Sequence, residues 1–338
     1  MIAPTRIQSA STALLLAGVA SIFGMAAAFA DSQSKSITEF TVPGGSDTLP
    51  ESINAKGDVT GYYVDGTGAH GFVRKHDGTI VTFDPKASVS TVPSSINSAG
   101  VITGDYSRNS QRPIYHGFVR APGGGGFTTI DVPGANNTSP LCINAGGTIV
   151  GQYEVENSGY FGFIRAPDGT ITQVDVNGES PVPQSINDSN TITGGYGGGS
   201  GFVQTGDGAT TIFAPPDATL TLPTSINSAG AVAGYFQNTL GGPDHGFVRA
   251  ADGSITTFDP KGSTETFVMS INDAGTIVGN YSVKGGYPLG FVRTPDGHIR
   301  TLTVPNSNAT WPVGINAAGA VTGNFGGPNP VAGFIAQE

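Results

Sequence analysis

The sequence predicts an all-β fold: a seven-bladed β-propeller with four strands per blade, its ring closed by the N-terminal strand. Three observations predict it: the composition, a unit that recurs seven times, and a last unit lacking its final strand. The hydrophobic share is 37%, with Val, Ile, Phe, Thr and Tyr recurring in short runs that suit pleated, half-buried strands. The 52 glycines and 23 prolines interrupt these runs at short intervals, as tight turns between short strands require. No stretch after residue 30 keeps an apolar period near 3.6, so helix is expected to be nearly absent.

The first element is of a different kind. Residues 1–30 carry one charge, Arg6, then an apolar run from Ala13 to Ala30 that ends Ala28-Phe29-Ala30. Small-x-small before the polar Asp31-Ser32-Gln33 is what a signal peptidase reads, so residues 1–30 are expected to be a signal peptide and 31–338 the propeller. The run is marginally long enough to span a bilayer, but the cleavage pattern favours export, to the periplasm or the extracellular space. A lone cysteine, Cys142, permits no intrachain disulfide, so stability must come from packing. The whole chain has a formal charge of −10, and loss of Arg6 makes the remainder one unit more negative. That balance, with no Lys/Arg cluster, argues against nucleic acid and against anionic membranes as partners.

Each unit opens on a Ser-Ile-Asn-like triplet, with the asparagine at 54, 97, 144, 187, 227, 272 and 316. A glycine (or Asn190) follows three residues on, then a strand such as Val59-Thr60-Gly61-Tyr62-Tyr63. Gly-Phe-Val-Arg or a variant starts at Gly71, Gly117, Gly162, Gly201, Gly246, Gly290 and Gly333. An Asp-Gly turn comes next at Asp77, Asp168, Asp207, Asp252 and Asp296, and a closing strand such as Ile255-Thr256-Thr257-Phe258 ends the unit. Four strands, A to D, in a period of 40 to 47 residues make a propeller blade. The seventh unit stops at Gly333-Phe334-Ile335 without a strand D. The missing strand is supplied by Ile37–Val42, which hides two edges that would otherwise invite aggregation.

The triplet together with Gly-Phe-Val resembles the HAF-type extracellular repeat, whose units run Ile-Asn, Gly, Val, Gly and then His-Ala-Phe. Here that last motif reads His-Gly-Phe at His70, His116 and His245, and the histidine is lost in the other four units. The resemblance covers the whole chain after residue 30. It implies an exported bacterial repeat protein and carries over no activity and no catalytic residue.

Whatever recurs in nearly every unit is expected to serve the unit. The Ile-Asn, Gly-aromatic and Gly-Phe positions belong here, as do the Asp-Gly turns, which suit the positive φ of tight hairpins. Cys142 stands where five other units have Ser and reads as a small buried residue. His70, His116 and His245 fall roughly opposite Asp84, Asp131 and Asp259. A base with its orienter is conceivable, but three copies on separate units favour a repeated intra-blade bond; Phe161 with Asp175 breaks the pattern. Trp311 occupies an apolar packing slot, and Gly123–Gly126 is a hairpin turn, since no helix or Lys follows it. No His-Glu-x-x-His, paired Cys-x-x-Cys or Gly-x-Ser-x-Gly occurs, so neither a metal site nor a cofactor is expected.

The A–B and C–D turns share one face and barely vary in length. The B–C and D–A loops share the other and vary widely, so a ligand site is expected there. Two strand positions vary with them. On strand B these are Tyr62, Asp105, Gln152, Gly195, Tyr235, Asn280 and Asn324; at the start of strand A they are Glu51, Ser94, Leu141, Gln184, Thr224, Met269 and Val313. Tyr62, Asp105, Gln152, Tyr235, Asn280, Glu51 and Gln184 are the candidate ligand-binding residues, a set that stacks on and hydrogen-bonds to a sugar-like ligand. The expected function is a secreted, monomeric propeller that binds a polar extracellular small molecule or glycan. The alternatives are a polysaccharide hydrolase or lyase using carboxylates such as Glu51 and Asp105, and a structural surface or matrix protein.

Overall fold

The structure is a computed structural model that describes residues 36–326 and 331–338. The expected signal peptide lies outside the described residues. Among those residues there is no α-helix, only the single turns Pro122–Gly124 and Gly197–Gly199, and within each unit successive strands pair as an antiparallel meander. In unit 1 the strands are Asp47–Ile53 (A), Val59–Val64 (B), Ala69–Arg74 (C) and Ile80–Phe83 (D). The last sheet is completed by the first strand: Ser36–Phe40 pairs antiparallel with Ala332–Gln337, Phe40 opposite Gly333.

The sheets number six rather than the expected seven. Five have four strands and one has eight, because a single parallel bridge, Ala69 to Ser90, joins unit 1 to unit 2. The contact is close, since a Cβ on Gly68 would lie 2.2 Å from the Val89 carbonyl. Elsewhere the same junction is held by single backbone bonds, from the Thr138, Thr310 and Thr48 N–H groups to the Tyr115, Pro288 and Val331 carbonyls at 2.8, 3.1 and 2.8 Å, without merging the sheets.

Packing between units explains the repeated residues. The phenylalanine of Gly-Phe is fully buried in all seven units, from Phe72 to Phe334, each contributing about 1.5–3 kcal/mol of burial. The glycine before it makes room for an aromatic ring: a Cβ on Gly71 would meet the Phe83 ring at 2.5 Å, and one on Gly333 would meet the Phe40 ring at 2.6 Å. Phe83 then meets Phe118 of the next unit edge-on, and Phe40 meets Phe72 likewise. The arginine ending strand C lies over the same rings, Arg120 over Phe83 at 4.4 Å and Arg74 over Phe40 at 5.1 Å, a cation–π contact. Phe40 therefore does for unit 1 what a strand-D phenylalanine does for the unit that follows it.

The Ser-Ile-Asn triplet is an inter-unit latch. Asn54 Oδ1 accepts from the backbone N–H groups of Lys56 and Asp58, both at 3.0 Å, which shapes its own A–B turn. Its Nδ2 donates to the Asn97 carbonyl at 3.1 Å. The same donation runs from Asn97 to Asn144, then to Asn187, Asn227, Asn272 and Asn316, and Asn316 donates to Asn54 at 3.0 Å. All seven asparagines are buried, so each bond joins groups that water does not reach. The serines add a second set: Ser52, Ser95, Ser185 and Ser225 Oγ accept from Ile96, Ile143, Ile226 and Ile271 N–H at 3.2–3.3 Å. Cys142 occupies this slot in unit 3, where burial pushes its thiol up and the Ile186 N–H points at its sulfur.

Candidate functional site

Each strand A carries a β-bulge at one shared position, and Ser263–Ile271 has a second shift between Ser263 and Glu265. The pairing register slips between Pro50 and Ser52, and at the matching residues of the other six units. The residue skipped is Glu51, Ser94, Leu141, Gln184, Thr224, Met269 or Val313. A bulged residue is left out of the ladder and its side chain is re-aimed. These positions are therefore not the start of strand A, as the sequence suggests, but a break within it. In cyclic order each strand A contacts the next, and Asp47–Ile53 contacts both Ser90–Ile96 and Ala309–Ile315.

Glu51 is half-buried, and desolvation pushes its carboxyl up to about 8. No hydrogen bond or ion pair reaches that carboxyl among the described residues, and none reaches the Gln184 amide.

The strand-B candidates share one register position in five units. Tyr62 pairs with Leu49, Asp105 with Val92, Gln152 with Ser139, Tyr235 with Leu222 and Asn280 with Phe267. Four are half-buried and Asn280 is buried, so these are junction positions rather than open surface. The Tyr235 ring meets Phe267 of the next unit edge-on at 5.4 Å. Burial, with the Asp244 charge nearby, pushes its phenol up to about 12. Gln152 lines a slot of about 10 Å³ with Asn137, Ser139, Tyr153, Glu154 and Tyr160, too small for a sugar ring.

The three histidines bond as the spacing predicts. Nδ1 lies 2.8 Å from Asp84 for His70, 2.9 Å from Asp131 for His116 and 2.7 Å from Asp259 for His245. Each ring also packs, tilted by 34–41°, against the strand-B aromatic beside it, Tyr63, Tyr106 or Phe236. Unit 3 explains its exception: Phe161 stacks on Tyr153 at 5.5 Å, and Asp175 instead accepts from the Gly178 N–H at 2.9 Å. The pairs are partly exposed and spread over three units.

Two features escaped the sequence. Asp244 is buried, accepts from Gln237 Nε2 at 3.0 Å, and is pushed up by desolvation with Glu265 adding repulsion. Its signal was available, because the equivalent residues are Ala69, Tyr115, Tyr160, Gly199, Pro288 and Val331, none of them acidic. A cavity of about 190 Å³ lies at the opposite, asparagine-turn end, among Asn187, Asp188, Asn227, Asn272, Asp273 and Ala317. Asp188 and Asp273 accept there from the Ala145 and Ser228 N–H groups of the preceding units, at 2.8 and 2.9 Å. None of the candidate ligand-binding residues lines it.

Among solved structures the chain is similar to a catalytically inactive variant of virginiamycin B lyase from Staphylococcus aureus with quinupristin. The TM-score is 0.60 and the identity 15%, over 90% of this chain and 99% of that one. It is also similar to the β-propeller domain of the trilobed protease from Pyrococcus furiosus, which has an open velcro topology: TM-score 0.59, 11% identity, 86% and 96% covered. A third is the acylaminoacyl peptidase of Pyrococcus horikoshii, at TM-score 0.59 and 11% identity, with 85% of this chain covering 50% of that one. The fold is thus all-β and of the propeller type. No protein-family model matches the chain, and no curated protein does.

Proposed function

We propose that the chain is a secreted, seven-bladed β-propeller, closed by its N-terminal strand, that binds a polar extracellular ligand of the glycan class. The binding face is that of the B–C and D–A loops. Closure is supported by the asparagine bonds that return from Asn316 to Asn54 and by Ser36–Phe40 completing the last sheet. Under this reading the eight-stranded sheet is two blades joined at one bridge. Export is supported by the Ala28-Phe29-Ala30 pattern.

One observation carries the ligand reading. Seven equivalent strand-B positions sit at the junctions between units, where the neighbouring columns repeat almost unchanged, and these hold Tyr, Asp, Gln, Gly, Tyr, Asn and Asn. Scaffold positions that make the same contact seven times do not diverge in this manner, whereas a surface shaped to one asymmetric ligand does. Aromatic faces and amides are what such a ligand stacks on and bonds to.

The test is a glycan array on residues 31–338, repeated with Tyr235→Ala and Asn280→Ala. The expected result is retention of a polar glycan and a loss of affinity of about tenfold in each variant, the equivalent of one good contact. Absence of any retained glycan, or variants that bind as the parent does, overturns the reading. The hydrolase or lyase reading is favoured by the two carboxyls held up by burial, Glu51 and Asp244. A polysaccharide substrate panel, with and without EDTA, separates the two, since turnover lost in Glu51→Gln or Asp244→Asn requires the enzyme.

A further inference from the structure

The chain has 25 acidic residues against 15 Lys and Arg, yet at one corner basic side chains gather without acids. The corner lies where units 1 and 2 meet. Lys86 is in the D–A connection between Phe83 and Ser90, and Arg108 and Arg112 are in the B–C loop between Ser107 and His116. All three are exposed. Arg108 Nε donates to the Lys86 carbonyl at 3.3 Å, which joins the two loops directly.

Arg108 is fixed from a second side. Its Nη2 donates to the Tyr106 hydroxyl at 3.0 Å, and its guanidinium lies over the Tyr106 ring at 5.0 Å. The Tyr106 hydroxyl is in turn bonded to Thr129 Oγ1 at 3.1 Å. These bonds use Nε and one hydrogen of Nη2, which leaves Nη1 and the other Nη2 hydrogen to donate outwards. The loop is also held by its own bonds. Ser107 Oγ accepts from the Asn109 N–H at 3.3 Å, and Asn109 Oδ1 accepts from the Gln111 and Arg112 N–H groups at 2.9 and 3.1 Å. It spans eight residues, against four in unit 1 and three in unit 3.

No carboxylate pairs with Lys86, Arg108 or Arg112 among the described residues. The acids at the same end of these two units are engaged elsewhere: Asp65 and Asp84 with His70, and Asp131 with His116. Lys75 and Arg300, by contrast, have Asp58 and Glu338.

We propose that this corner receives the carboxylates of an acidic glycan, with Arg108 as the fixed fork and Lys86 and Arg112 as flanking charges. The proposal rests on the ligand-binding reading above, whose face it shares, and adds the charge of the ligand. A guanidinium matches the two oxygens of a carboxylate with parallel N–H bonds, and one already held by the protein loses little freedom on binding. Ile114, 54% exposed in the same loop, offers apolar surface to the C–H face of a sugar ring, which a polyanion without rings does not use. The formal charge of −10 repels polyanions at long range, so retention has to come from contacts at this corner.

The experiment uses the protein produced from its full chain and measures binding by calorimetry. The probe is polygalacturonate, with dextran as the neutral glycan and polyglutamate as the carboxylate polymer without sugar rings. Polygalacturonate is expected to bind about tenfold or more tighter than either. Arg108→Ala and Arg112→Gln should each weaken it about tenfold, and Arg108→Lys, which keeps the charge and loses the fork, should fall between parent and Arg108→Ala. The Arg112 side chain makes no hydrogen bond or ion pair among the described residues, so Arg112→Gln tests the site even where loss of the Tyr106 contact unfolds Arg108→Ala. Lys56→Ala removes an exposed charge at the A–B turn, on the opposite face, and should bind as the parent does. Undiminished binding by Arg112→Gln, an equal loss in Lys56→Ala, or dextran or polyglutamate held as tightly as polygalacturonate overturns the proposal. A neutral glycan retained through Tyr235 and indifferent to Arg112 overturns this proposal alone, whereas no retained glycan of either kind overturns the reading beneath it as well.

Discussion

If the asparagine bonds form a closed ring, Asn316 must behave like any internal member, although its acceptor, Asn54, lies 262 residues away. Substitution by Asp isolates the inter-unit bond. The remaining Oδ1 still accepts from the Ala318 and Ala320 N–H groups at 3.1 and 2.9 Å, while the lost Nδ2 leaves a carboxylate oxygen facing the Asn54 carbonyl. A buried acceptor deprived of its donor costs about 1–3 kcal/mol, with repulsion added. For a chain of this size, 1 kcal/mol corresponds to about 2 °C in melting temperature, so Asn316→Asp should melt about 2–6 °C below the parent at neutral pH. Asn187→Asp, whose partner Asn227 is the next unit's triplet, should show the same loss. Acidification protonates the new carboxyl and restores a donor, so both deficits should shrink towards low pH. Melts followed by far-UV circular dichroism give the comparison. An Asn316→Asp protein that melts with the parent while Asn187→Asp does not would mean that the seventh and first units do not latch, and the closed ring would fail.

The histidine pairs should act on stability alone: His70→Ala, His116→Ala and His245→Ala are each expected to cost about 0.5–1.5 kcal/mol in chemical denaturation, the usual figure discounted for partly exposed partners. His70 should cost most, because Thr67 Oγ1 also bonds its ring at 2.8 Å, and loss of ligand binding in one variant at unchanged stability would refute the structural role. Glu51 should oppose stability as pH rises. Its folded pKa, about 8, lies above the ordinary 4.5, so the folded state holds the proton longer, and stability present below 4.5 is lost progressively up to 8. Glu51→Gln should remove that slope and exceed the parent by a few kcal/mol at pH 8, and parallel pH–stability curves would refute the burial of this carboxyl.

Strand content and repeat boundaries were legible because the chain states its pattern seven times. The His–Asp pairs were legible for the same reason: histidine and aspartate rise and fall together from unit to unit, and only ring packing, which Phe161 supplies as well as His, interrupts the count. The six-sheet pairing was not legible, since it turns on one bridge, Ala69 to Ser90, at a junction that the other units share, and no residue pattern encodes that difference. Nor was the bulge. Glu51 follows a proline on strand A, and a sequence shows neither where a pairing register slips nor that seven slips coincide. Asp244 is a different case. Its acidity stands out in its column, where no other unit has an acid, but only burial gives that acid its raised pKa.

Comparison among units inside one chain separates structure from function in a way that a single site cannot. A residue that recurs has been assigned a physical task by its recurrence: Asn54 and its six counterparts hold turns and neighbours, Phe72 and its counterparts fill the space between sheets, and Arg74, Arg120, Arg249 and Arg293 cap the ring of the preceding unit. With those tasks met, the positions between them are free to differ at little cost in stability. They do differ, at Tyr62, Asp105, Gln152, Tyr235 and Asn280 on strand B and at Glu51 and Gln184 on strand A. Random drift at junction positions would drift towards apolar or small residues, because an unpaired polar group costs free energy there. Asn280 is buried, and desolvation pushes up the Glu51 carboxyl and the Tyr235 phenol, so at these three positions drift has not run to the apolar or small residues that cost least.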